Sequence, residues 1–312
     1  MTILQPLTTQ ASEAHRFSTS WILSPYLLGA LRLVIALYIF LVLSIVLGII
    51  SIQWRNSSLA GTEFTYFTVL TYWGLGFYFL VAGVHSIVYG ATGRNWLERT
   101  GGRWMMLARW AHAALYASVT VFPFIVTGVY ISLSLLFPAL SSSSISYLFP
   151  TLIYVMSRAL TTLPVVFWTV LARDALSYPQ LAWQNISMHA LNSGFALLEI
   201  ILPSTRPHAW IHLAPLMVLL VLYLALTYVS HAIRGYYVYP FLDPVNGAGG
   251  IVGILVGTPV ATALVFAIVK AAIWGRMCLS EGREKARGKS ALPSVDVEEI
   301  TMEFPKPVEN TV

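Results

Sequence analysis

LVIALYIFLVLSIVLGIISI, residues 33 to 52, runs for twenty residues without a charge, and its side-chain polarity is confined to Tyr38, Ser44 and Ser51. A helix needs about 20 apolar residues to cross a hydrocarbon core roughly 30 Å thick, so this segment reads as a membrane span. Working outward, the same test marks Tyr66 to Tyr89, Ala111 to Phe137, Tyr147 to Leu171, Ala182 to Leu202, Ile211 to Ser230 and Ile251 to Trp274. Composition agrees: 57% of the 312 residues are hydrophobic and only 10% are charged, where a soluble domain carries charge on about a quarter. Mean hydropathy is +0.73. The first 26 residues lack the small-residue cleavage pattern of a secretory signal, and the first apolar run is too long for one, so it is expected to be a retained span.

The expected fold is all-α, a polytopic transmembrane helical bundle of about six spans plus one re-entrant or bent segment. Cytoplasmic loops are enriched in Lys and Arg, which places both the loop with Arg94, Arg99, Arg103 and Arg109 and the tail with Arg276, Arg283, Lys285, Arg287 and Lys289 inside. An even number of crossings must then separate them, although five apolar stretches intervene. The surplus is assigned to Ala111 to Leu171, where Pro123, Pro138, Pro150 and Pro164 interrupt the pattern and Ser141 to Ser144 form a turn. The expected organisation is an N-terminal cytoplasmic segment over 1–26, a membrane domain over 27–275, and a charged, disordered cytoplasmic tail over 276–312, too polar to bury a core.

Several function classes fall away. The net charge of +5 has no clustered aromatic-basic surface behind it, so no nucleic-acid partner is expected, and the single Cys278 forms no intramolecular disulfide. There is no GxSxG elbow, HExxH helix or Gly-rich phosphate loop. His208 and His212 are spaced as metal ligands can be, but lack the further ligands a metal site needs, so neither a metal nor another cofactor is expected. Lys270, in the last stretch, is too near its end and lacks a carboxylate counter-ion for a retinal site.

Ionisable groups inside spans are costly and mark candidate sites. Among carboxylates only Glu199 lies well inside a stretch; with Asn185, His189 and Asn192 it shares one polar face of a helix. Thr68, Thr71, Tyr78 and His85 form a second polar face, and the two are natural partners. Each has a structural alternative: Thr71 bonding a backbone carbonyl, His189 and the asparagines bonding between helices, Glu199 pairing with Arg158. Gly253 and Gly257 form a small-residue face suited to helix packing.

Asn185-Ile186-Ser187-Met188-His189, continued by Asn192 and by Ala196-Leu197-Leu198-Glu199-Ile200, resembles the histidine segment of the androgen-induced protein family. Val238-Tyr239-Pro240-Phe241-Leu242-Asp243, after His231 and Gly235, is similar to a second signature of that family, and Leu70-Thr71-Tyr72 to the segment carrying its nucleophile. Thr68, one turn from Thr71, is a second match for that nucleophile. The resemblance covers roughly residues 60 to 265. It implies an internal-membrane protein, of the endoplasmic reticulum or another endomembrane, that hydrolyses fatty acid esters of hydroxy fatty acids. Thr71 would be the nucleophile and His189 its general base, supported by Asn185, Asn192, Glu199, Tyr239 and Asp243. A hydroxyl becomes an effective nucleophile when a neighbouring imidazole accepts its proton. The implied partners are the bilayer and a long-chain lipid ester. The competing class is a non-enzymatic carrier or receptor-like protein using Glu199 and the intramembrane histidines. The physiological substrate and the oligomeric state are not written in the sequence.

Overall fold

The computed structural model describes residues 14–53, 61–95, 102–140, 183–246 and 248–291. Among the described residues six α-helices carry the fold: α1 Pro25–Gln53, α2 Phe67–Thr92, α3 Arg103–Leu140, α4 Asn192–Ile201, α5 Leu213–Arg234 and α6 Ala248–Ala291. A π-helical stretch, Ile186–Leu191, leads into α4. Among the described residues the only β-type pairing is an isolated bridge between Ser20 and Pro203. Among the described residues five helices are long and apolar enough to cross a membrane: Pro25–Ile52, Phe67–Thr92, Arg103–Gly128, Trp210–Arg234 and Ile251–Arg283. Their outer faces are apolar, with Val34, Leu37, Val81, Val84, Val221, Leu222, Val252 and Val256 all exposed. That is the arrangement expected of a chain whose solvent is lipid.

Helix directions follow from the contacts between neighbours. Gly90 of α2 lies against Pro25 and Tyr26 at the start of α1, and Gly76 lies against Ile39 and Phe40, so these helices are antiparallel. Rings of α3 meet rings of α2 in reverse order, His112 stacked on His85, Tyr116 tilted against Tyr78 and Phe122 edge-on to Phe67. Thr127 meets the backbone of His189, whereas Trp21 reaches the carbonyl of Ile201, so the segment 183–201 runs back toward the start of α1. Lys270 and Arg276 of α6 bond the backbone of His208 and Pro203. One end of the bundle therefore gathers Arg94, Arg103, Arg206 and Arg276 (the basic end), and the other gathers the start of α2, residues 183–189 and the loop after α5.

The tightest seam is between α1 and α2, where Gly76, Gly83 and Gly90 recur every seven residues. A Cβ added at Gly29 would come within 2.6 Å of Ile87 Cγ1 and 2.9 Å of the Gly83 carbonyl oxygen; one at Gly83 would come within 2.9 Å of Leu33. Small residues let helix backbones approach closely where lipid gives no hydrophobic push. Gly29→Ala is expected to lower stability by about 1–3 kcal/mol, read as a fall in the thermal unfolding midpoint in detergent. Gly74→Ala, with no atom near its Cβ position, should hold that midpoint or raise it, because alanine favours helix. Equal midpoints for the two variants would refute the seam. Helices α2 and α5 end on Gly93 and Gly235, whose φ values of 64° and 79° lie in the left-handed region that glycine enters without a Cβ penalty.

Several sequence expectations change. Neither Pro123 nor Pro138 interrupts its helix, since α3 is continuous from Arg103 to Leu140; Ser141 to Ser144, Pro150, Pro164 and the stretch Tyr147 to Leu171 lie outside the described residues. Gly253 and Gly257 are exposed, and a Cβ there would meet no atom within 4 Å among the described residues, where the glycines that pack closely are those of the α1–α2 seam. The segment from Arg276 is not disordered from its start: α6 runs to Ala291, and Arg276 is buried. Its guanidinium donates to the carbonyls of Pro203 and Thr205 and to Thr205 Oγ1 at 3.2 Å. Carbonyls just past a helix end lack intrahelical donors, and a guanidinium fork supplies several at once.

Candidate functional site

The two polar faces meet at both ends of the bundle and do different things there. Toward the basic end, Glu199 is 2% exposed and forms a buried ion pair with Arg32, itself 1% exposed. The pair is bidentate, with Arg32 Nε donating to Glu199 Oε2 at 3.1 Å and Nη2 to Oε1. Tyr78 donates to the same carboxylate at 2.7 Å. Arg32 Nη1 donates to the Phe17 carbonyl at 2.8 Å and to Ser86 Oγ at 2.7 Å. Every arm of this fork is engaged, as a buried charge pair requires. Arg158, the partner weighed from sequence, lies outside the described residues; Arg32 fills that role. Sequence reasoning missed Arg32 because the charge itself ended the apolar run at Leu33. The helix begins at Pro25, which puts Arg32 about 10 Å along its axis.

At the opposite end a cavity of about 570 Å³ opens between α2, α3, α5, α6 and the π-helical stretch. Val69, Ile125, Val126, Met188, Met217, Leu220, Leu224, Ile254 and Leu255 make its walls. Its polar atoms come from Glu63, Tyr66, Thr68, Gln184, Asn185, His189, Tyr223, Thr227, Tyr239 and Thr258. Apolar walls with a few convergent polar groups are the usual form of a small-molecule site.

Local structure explains the placement of each group. Thr68 sits in the first turn of α2. Tyr223 holds that turn by donating to the Thr65 carbonyl at 2.9 Å and accepting from the Phe67 N–H at 3.0 Å; Tyr239 accepts from the same N–H at 3.3 Å. These two tyrosines satisfy one of the first-turn donors that a helix leaves without an internal acceptor. His189 lies in the π-helical stretch, a rare geometry often found at functional sites. Its carbonyl accepts from Thr127 Oγ1, and one turn on Ser193 donates to the Pro123 carbonyl at 3.0 Å, fastening this stretch to α3.

The cavity brings together His189, Asn185 and Tyr239, and of the two threonines only Thr68 is in its lining. Thr68 lines it, and the Thr68 hydroxyl makes no hydrogen bond among the described residues. Thr71 is outside the lining, its hydroxyl donating to the Thr68 carbonyl at 2.9 Å, the local bond expected of a membrane-helix threonine. Asn192 is buried, donates to the Met188 carbonyl at 3.1 Å and is not part of the lining. Asp243 caps a turn by accepting from the Val245 N–H at 3.0 Å. Glu199 is one helix length from the cavity, about 15 Å beyond His189 along the axis. Glu63 joins the set unforeseen: it lies before α2 in a 3-10 turn, Glu63–Thr65, and burial raises its carboxyl above the ordinary range.

Elsewhere, Lys270 donates to the His208 carbonyl, and His208 Nε2 lies 2.9 Å from Thr120 Oγ1. Among the described residues no three His, Cys, Asp or Glu side chains cluster as a metal site would need. No protein-family model matches the chain, no curated protein is significantly similar to it, and no solved structure is significantly similar to its fold.

Proposed function

We propose that this protein is a membrane-embedded hydrolase of long-chain lipid esters, with Thr68 as nucleophile and His189 as general base. The observation that carries the reading is the sharing of one apolar cavity by a histidine and a threonine hydroxyl that makes no hydrogen bond among the described residues, with Asn185 and Tyr239 beside them. In the reaction, His189 takes the Thr68 proton as the oxygen attacks the ester carbonyl. The leaving alcohol takes that proton back, and an acyl-threonine remains. Water then gives a proton to His189 and attacks the acyl carbon, releasing the acid and restoring the hydroxyl. The N–H groups of Thr68 and Val69, in a helical turn with no internal acceptors, are the nearest donors for the developing oxyanion. The apolar walls would hold the acyl chain.

The same reading takes six crossings: the five long helices together with residues 183–201, about 28 Å at the α-helical rise. Both ends of the described chain then lie at the basic end, which the enrichment of Lys and Arg in cytoplasmic loops assigns to the cytoplasm. Thr68 and His189 face the other compartment. Resemblance to the androgen-induced protein family points to the same chemistry and to an endomembrane, with Thr68 in place of Thr71 as the matching residue.

The test is hydrolysis of a 4-nitrophenyl long-chain ester by purified protein in phosphatidylcholine nanodiscs. Turnover in wild type and Thr71→Ala, with a loss of at least a hundredfold in Thr68→Ala and His189→Ala, is expected, general-base catalysis alone contributing about 10²–10⁴-fold. Turnover unaffected by either of the latter changes would remove the proposal.

A further inference from the structure

We infer that α6 carries, in the wall of the cavity, a subsite for a hydroxyl group of the ligand, made of the Leu255 carbonyl and the Thr258 hydroxyl. The inference rests on the ester-hydrolase reading and deepens it, since the hydroxyl is that of the alcohol which an ester releases. Leu255, Thr258 and Pro259 all line the cavity, and Pro259 stands inside the helix. With Thr262 they take positions i, i+3, i+4 and i+7, which share one helix face. That face continues into Phe266, Val269 and Ile273, all buried, so it is the face α6 turns toward the bundle.

Proline has no N–H, and inside a helix that removes the donor on which the carbonyl four residues earlier depends. For Pro259 that carbonyl is the one of Leu255, directed along the helix axis toward the proline ring. Membrane helices commonly tolerate a proline by handing the freed carbonyl to a Ser or Thr hydroxyl nearby. Thr258, three residues on from Leu255, is the hydroxyl placed to do so, yet it makes no hydrogen bond among the described residues. One turn further, the Thr262 hydroxyl is buried and has no partner there either. A ligand hydroxyl answers the first two groups together, donating to the Leu255 carbonyl while it accepts from Thr258, because a hydroxyl is donor and acceptor at once. An ester or ether oxygen only accepts, and leaves the carbonyl unmet. Cleavage of an ester turns such an oxygen into a hydroxyl, so the subsite favours the alcohol product over the ester from which it came.

Dodecanol and dodecyl methyl ether separate the hydroxyl from the chain that carries it. Both are titrated as tritiated ligands against the full chain in phosphatidylcholine nanodiscs, with empty nanodiscs subtracted. Wild type should bind dodecanol about tenfold more tightly than the ether, the scale of one buried acceptor met or left unmet. In Pro259→Ala the restored N–H takes the Leu255 carbonyl, so the ratio should fall near one while the affinity for the ether stays unchanged. Thr258→Val removes the other half of the subsite and should give an intermediate ratio. Equal wild-type affinities, an unchanged ratio in Pro259→Ala, or loss of both ligands together in that variant, the mark of an altered cavity shape, would overturn the inference. Binding of an alcohol needs no catalysis, so the expected ratios in a protein that hydrolyses no ester would leave the subsite standing and remove only the hydrolase reading.

Discussion

Arg32→Met is expected to destabilise the folded protein by about 3–5 kcal/mol, because it leaves the Glu199 carboxylate buried without its counter-charge. In detergent this would appear as a lower thermal unfolding midpoint and a smaller folded fraction at matched expression. Glu199→Met alone should cost a similar amount, since it strands the guanidinium among the Phe17 carbonyl, Ser86 and Tyr78. The double variant Arg32→Met/Glu199→Met should recover most of the loss, as replacing a buried ion pair by apolar groups of similar volume is often near neutral. Additive losses in the double variant would show that the pair is not the unit of stability.

The same pair bears on the carrier alternative. A proton-coupled carrier needs a carboxyl that gives up and regains its proton along a path. Glu199 is instead locked by two guanidinium bonds and a phenol inside a buried ion pair, with no free path to it among the bonds that hold it. Glu199→Gln should therefore lower stability, and per folded molecule its ester hydrolysis should stay at the wild-type value.

The long apolar helices were legible in the sequence because lipid imposes a requirement that hydropathy reads directly. Five of the seven marked stretches coincide with helices able to cross a membrane. The meeting of the two polar faces was legible too, and Tyr78 on Glu199 is its contact. What escaped was set by tertiary packing. Hydropathy ends a span at its first charge, so Arg32 fell outside α1, although a buried partner makes a charge tolerable two turns inside a helix. The charged composition after Arg276 hid the continuation of α6, which the carbonyls of Pro203 and Thr205 stabilise at that arginine. Thr68 and Thr71 are one turn apart on one face, and spacing cannot rank them; of the two, only Thr68 lines the cavity. Glu63 was invisible as a site residue because it precedes the apolar run and reaches the cavity only through the turn that introduces α2.

Loss of function at Thr68 and at His189 is the other large effect expected. Removing either the nucleophile or its base should abolish acyl-threonine formation, with little change in folding, since neither change strands a buried charge. Thr71→Ala removes only a local bond to the Thr68 carbonyl, about 0.5–1.5 kcal/mol of stability, and should leave catalysis intact. The most direct measurement is therefore fluorophosphonate labelling of wild type, Thr68→Ala, Thr71→Ala and His189→Ala in membranes, at matched expression and with unfolding midpoints checked. Label on wild type and Thr71→Ala, absent from Thr68→Ala and His189→Ala, is the predicted result. Label retained in Thr68→Ala, or none on folded wild type, would contradict the assignment of Thr68 as an activated nucleophile.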